Sequence, residues 1–118
     1  MVDKKMEAIN SIVGEGTVLR GEITTPGSLH VAGEVQGTIK AEKDVFVVNK
    51  GKVVGDVEGS RVVVSGTIEG NITARTGLEI LKTGKVFGEI NCHRLMIEEG
   101  SSYQGRVNVA QETQTANV

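Results

Sequence analysis

Short apolar and polar positions alternate along the chain in a pattern that repeats. The sequence Gly-x-[Val/Ile]-x-Gly-x-[Ile/Val] recurs at Gly33 (GEVQGTI), Gly51 (GKVVGDV), Gly66 (GTIEGNI) and Gly84 (GKVFGEI). One-residue expansions of it begin at Gly16 (GTVLRGEI) and Gly100 (GSSYQGRV). Before most copies stands an alternating apolar pair: Leu29/Val31, Val45/Val47, Val62/Val64, Leu78/Ile80 and Leu95/Ile97. Successive side chains of a strand point to opposite faces, so such pairs predict short strands with one face turned inward.

The second members of these pairs, from Val31 to Val47, Val64, Ile80 and Ile97, are separated by 16, 17, 16 and 17 residues. Two further columns recur as well. Val18, Val35, Val53, Ile68, Val86 and Tyr103 form one, and Ile23, Ile39, Val57, Ile72, Ile90 and Val107 form the other. Each repeat therefore offers three extended pieces broken by glycine or polar corners, which is one turn of a three-sided solenoid. The predicted fold is all-β: a single-domain right-handed parallel β-helix of about six coils of 16–17 residues. It spans residues 12–109, between tails at 1–11 and 110–118. Parallel crossovers are overwhelmingly right-handed, which sets the expected hand. The left-handed hexapeptide helix is disfavoured because spacings of 6 and 4 residues (Val47, Val53, Val57) or 4 and 4 (Val64, Ile68, Ile72) break its strict period.

A coil of this length has a perimeter near 55 Å at roughly 3.3 Å per residue, so each side is a strand of a few residues around a narrow interior. Stiff β-branched side chains suit the ladders this requires. Composition agrees: glycine is 16 of 118 residues while aromatics are only 3%, so small aliphatics must do the burying.

The outward ladders differ by side. The third side reads Glu22, Thr38, Asp56, Asn71, Glu89, Arg106, a solvated face. The first reads His30, Phe46, Val63, Glu79, Met96 and is half apolar; with Phe87 on the second side, Phe46, Val63 and Met96 are the candidates for lateral contact.

A parallel solenoid ends in two faces whose unpaired N–H and C=O groups template another chain unless they are covered. The sequence offers no clear cap, only a short apolar stretch before the first coil and a polar tail from Ala110 to Val118. The tips expected to carry polymerisation are Ile12, Val13 and Val18 at one end and Ile97, Tyr103 and Val107 at the other. Tyr103, the sole tyrosine, stands in a column of Val and Ile. It reads either as a contact knob or as a plug over the core, since both uses bury the ring.

Charge and motifs narrow the function classes. Charged residues make up 24% with net charge −2 and no block of one sign, so a nucleic-acid surface is not indicated. No phosphate-binding loop occurs, and no run approaches the length of a membrane-spanning helix. With no signal-peptide pattern and a lone Cys92, the expectation is a cytoplasmic protein in a reducing compartment. His30 and His93 lack partners at ligand spacing, and adjacent Cys92 and His93 point to opposite strand faces. The coils follow one another without insertions that could build a pocket, so neither an enzyme nor a cofactor is expected. The competing reading is a capped monomeric β-helix that binds through its half-apolar side.

The stretches LEILKTGKVFGEI (78–90), RLMIEEGSSYQGR (94–106) and VGEGTVLRGEI (13–23) resemble the bactofilins, bacterial polymer-forming cytoskeletal proteins. The resemblance covers roughly residues 12–107. It implies a right-handed triangular β-helix that assembles without nucleotide into non-polar filaments by head-to-head and tail-to-tail stacking. It further implies association with the inner face of the cytoplasmic membrane and service as a platform for cell-wall enzymes or polarity proteins. An aromatic of the last coil, usually Phe, matters for polymerisation in that family; Tyr103 matches it. A short membrane-targeting segment is also implied, and here it would be MVDKKMEAI. Met1 opens it, Val2, Met6 and Ile9 fall on one helical face, and Lys4 and Lys5 lie beside them. Asp3 and Glu7 offset the lysines, so a single copy would bind weakly and many copies on one filament together.

Overall fold

The computed structural model describes residues 10–109, which form thirteen strands and no helix. In chain order they are β1 (Asn10–Val13), β2 (Val18–Thr25), β3 (Ser28–Val31), β4 (Glu34–Ala41), β5 (Asp44–Val47), β6 (Lys52–Val64) and β7 (Thr67–Glu69). They continue with β8 (Ile72–Ile80), β9 (Lys85–Phe87), β10 (Ile90–Cys92), β11 (Leu95–Ile97), β12 (Ser102–Gln104) and β13 (Val107–Val109). Every pairing is parallel and joins a strand to one about a coil away. The result is a β-solenoid, as the repeat predicts, with about five turns where about six coils are expected. Because both the first and last layers are included, six strand layers stack on each side.

On side one the register runs Val13, Val31, Val47, Val64, Ile80, Ile97, with Leu29, Val45, Val62, Leu78 and Leu95 as its second inward ladder. Side three carries Ile23, Ile39, Val57, Ile72, Ile90 and Val107. Nearly all of these side chains are buried, so the core is a stack of Val, Ile and Leu. At about 25 cal/mol per Å² of apolar surface, such ladders are the main stabilising term.

The column on side two begins at Leu19, not at Val18. Val18 lies opposite Glu34 and is 44% exposed, whereas Leu19 pairs with Val35 and is buried. The extra residue of the expanded repeat sits ahead of the strand, where Thr17 donates its N–H to the Gly14 carbonyl at 3.1 Å. Position inside the strand is fixed from the other end, by Gly21 in register with Gly37. Equivalent turns close at Gly51 on Val48 and at Gly84 on Leu81, each at 2.8 Å, and at Ser101 on Glu98 at 3.2 Å. The variable spacings of the sequence are thus absorbed at this corner and at the corner between sides three and one, where the register shifts between Gly59 and Arg61.

The corner between sides two and three is a column of glycines: Gly37, Gly55, Gly70, Gly88 and Gly105, with φ between 137° and 144°. A Cβ on Gly55 would fall deep inside van der Waals contact with the Gly37 carbonyl oxygen. The chain turns there because glycine alone reaches this conformation and lets successive layers touch backbone to backbone.

A small-residue ladder lines the remaining corner: Thr25, Ala41, Gly59, Ala74 and Cys92, all buried. Arg75 braces this corner from outside, donating to the carbonyls of Ala41 at 2.9 Å and Glu42 at 3.0 Å and to Glu58 at 3.4 Å. Exposed ion pairs such as Lys40–Glu22 and Lys52–Glu69, both at 3.8 Å, also link layers, but pairs of this kind contribute only about 0–1 kcal/mol each.

Candidate functional site: the tips of the rod

Interior layers are hydrogen-bonded above and below; terminal layers are not. Among the described residues β1 pairs only with β3, β11 only with β8, β12 only with β9 and β13 only with β10. Each tip therefore presents a row of main-chain donors and acceptors on one flank.

The two tips differ in their apolar content. In the first layer Val13, Leu19 and Ile23 are already buried, at 2, 7 and 3% exposure. In the last, Ile97, Tyr103, Val107 and Val109 are only partly buried against the core. The C-terminal tip thus combines free strand edges with an open apolar surface. Ile97, Tyr103 and Val107 occupy one layer, as their spacing requires. At the other tip Val13 ends its column, while Val18 faces sideways rather than along the axis. Only the backbone of Ile12 is described. Met1, Val2, Lys4, Lys5, Met6 and Ile9 lie outside the described residues.

Tyr103 pairs with Val86 and continues the inward column. Its hydroxyl oxygen is buried and has no hydrogen-bond partner among the described residues. Burial, and then the charges of Cys92 and Glu89, push the phenol pKa above its ordinary value. An unpaired buried hydroxyl costs about 1–3 kcal/mol. Tyr103→Phe is accordingly expected to raise unfolding stability by about 1 kcal/mol. The pH dependence has a definite sign. The neutral phenol is favoured in the fold, so its contribution is complete below about pH 10 and fades as pH rises through the raised folded value. Denaturant titrations at pH 7 and at about pH 10.5 should show the natural protein losing more stability than Tyr103→Phe.

The lateral candidates separate. Phe46, Val63 and Met96 share one outward column with His30 and Glu79, and the rings of His30 and Phe46 stack at 4.7 Å. Phe87 belongs to another side, in register with Glu69, which parts it from Val54. Val48, 37% exposed, follows the inward Val47 and enlarges the apolar part of side one. Alternation carried one residue past each apolar pair would have found it. Cys92 is buried with its thiol pKa raised by desolvation, while His93 is exposed, so the two form no nucleophilic pair.

Residues 11–108 match the family model for bactofilin, described as polymer-forming cytoskeletal. A curated relative, bactofilin BacO of Myxococcus xanthus, is 32% identical over 100 residues, covering 85% of this chain and 79% of the relative. No solved structure matches.

Proposed function

Since the chain belongs to the bactofilin family of polymer-forming cytoskeletal proteins, and is thus a structural protein and not an enzyme, we propose that it assembles into filaments by stacking of its tips. The observation that carries this reading is the last layer. Strands β11, β12 and β13 are paired on one flank only, beside four partly buried apolar side chains. A second rod placed there continues the hydrogen-bonded ladders and covers Ile97, Tyr103, Val107 and Val109. The contact consists of backbone groups and apolar side chains, so it needs no nucleotide. Like tips meeting gives a filament without polarity.

The filament serves as a cytoplasmic platform at the inner membrane surface, held by many weak N-terminal segments acting together and recruiting cell-wall or polarity proteins. This part rests on the family and on Lys4, Lys5 and the apolar Val2, Met6 and Ile9 beside them. Purified full-length protein, with no nucleotide added, should form filaments under the electron microscope and pellet with anionic liposomes. A version lacking residues 1 to 9 should keep the filaments and lose the pelleting. A single-chain particle at high concentration would overturn assembly and favour a monomeric binding module; equal pelleting would overturn the membrane segment.

A further inference from the structure

Gly77 is a glycine that the backbone does not need. It lies within β8, its φ is not in the left-handed region, and a Cβ added there would meet Arg94 O at 3.6 Å and Arg94 Cβ at 3.7 Å, ordinary contacts. What glycine does at this position is leave a notch in the outer surface of side one. Register places it directly beside Arg61, while Leu78 beside Leu95 puts Arg94 on its other flank. Thr76, Glu79 and Met96 complete the lining of a cavity of about 200 Å³. That is below the roughly 300 Å³ at which small-molecule and cofactor sites begin, and it suits one or two side chains.

The charges around the notch are unequal. Arg61 is committed to Glu79, its Nε 2.9 Å from the carboxylate. Arg75 on the adjoining corner is committed to the Ala41 and Glu42 carbonyls and to Glu58. Arg94 is exposed and has no carboxylate partner among the described residues. One arginine fork is therefore left over beside Met96, which is 40% exposed. A guanidinium matches a carboxylate in geometry and charge, and the thioether adapts to an apolar neighbour.

We propose that the Gly77 notch docks an extended acidic segment of a partner protein, one carboxylate pairing with Arg94 and an adjacent apolar side chain resting on Met96. Phosphate-rich partners fit less well, because Glu79 stands in the notch and one free arginine cannot supply the several contacts a nucleic-acid backbone demands. Strand β8 is paired on both flanks, by β6 and β11, and the free edge of β11 faces the tip rather than the notch, so recognition is by side chains and not by strand addition.

The test uses a fluorescein-labelled, capped peptide of alternating leucine and glutamate, its glutamine counterpart, and inorganic phosphate as competitor, read by fluorescence polarisation on the full-length chain. The glutamate peptide should bind at least about tenfold more tightly than the glutamine peptide, the range of a charge-assisted hydrogen bond. Gly77→Val, which fills the notch, and Arg94→Gln should each weaken it by about tenfold or more while melting temperature and filaments stay unchanged. Running the same titration on Tyr103→Arg separates docking from assembly. Equal binding of the two peptides, undiminished binding by Gly77→Val, or displacement by phosphate at concentrations equal to the peptide's would overturn the proposal.

Discussion

Tyr103→Arg is expected to reduce long filaments to short particles without unfolding the rod. The ring sits in the last layer among the described residues, where β12 is paired on one flank only, and a longer side chain can swing outward in the isolated protein. In the junction it cannot. A guanidinium enclosed between two apolar tips costs several kcal/mol, and each 1.4 kcal/mol is tenfold in association. The junction should weaken by at least about a hundredfold. Sedimentation and electron microscopy read the outcome, and the size of the remnant adds information. Pairs would show that the N-terminal tips still meet, as like-to-like stacking requires; single chains would show front-to-back stacking. Filaments of unchanged length would rule out this tip altogether. Tyr103→Phe is the control, because it keeps the ring and should keep the filaments.

Gly55→Ala should have a larger effect on the fold than any truncation of the core. Backbone in the region of φ 137° costs a non-glycine residue about 1–3 kcal/mol before any clash. The clash comes on top of that, since the added methyl points into the Gly37 carbonyl in the next layer and neither backbone can yield without parting a ladder. Losses above about 4 kcal/mol are expected, against a total stability of 5–15 kcal/mol typical of folded domains. Circular dichroism melts should show either no cooperative transition or one lowered by tens of degrees. Gly77→Ala, where the same methyl meets nothing closer than 3.6 Å, should leave the melt within a few degrees of the natural protein. A Gly55→Ala melt matching that of Gly77→Ala would refute the account of the corner.

The sequence exposes the parts of this fold that follow from repetition. A buried aliphatic at each inward position leaves a trace that recurs every 15–18 residues, so the ladders through Val47, Val57 and Val86 are legible directly. Val18 is not the inward residue because a turn of variable length separates the first glycine of its repeat from the strand. Counting back from Gly21 selects Leu19, just as counting back from Gly105 selects Tyr103. The ladder of Thr25, Ala41, Gly59, Ala74 and Cys92 left no hydrophobic signal, since a tight corner selects for size rather than apolarity. The terminal layers were legible as the place where the pattern stops, and Tyr103 as the residue out of type. The difference in burial between the two tips was not, because it depends on what lies across each face in three dimensions. Nor could one glycine that creates a notch be told from those that turn corners: φ and the direction of the missing Cβ distinguish them, and neither is written in the residue type.

The glycine corner has a consequence for size. Because interior layers meet through the same carbonyl-on-glycine contact and through ladders of small aliphatics, they differ only in which of Val, Ile or Leu they carry and in small shifts of register. The fold therefore contains no ruler. Coils could be duplicated or removed in whole units with every surviving neighbour relationship intact, and only the two end pieces decide where a single chain stops and the next must begin.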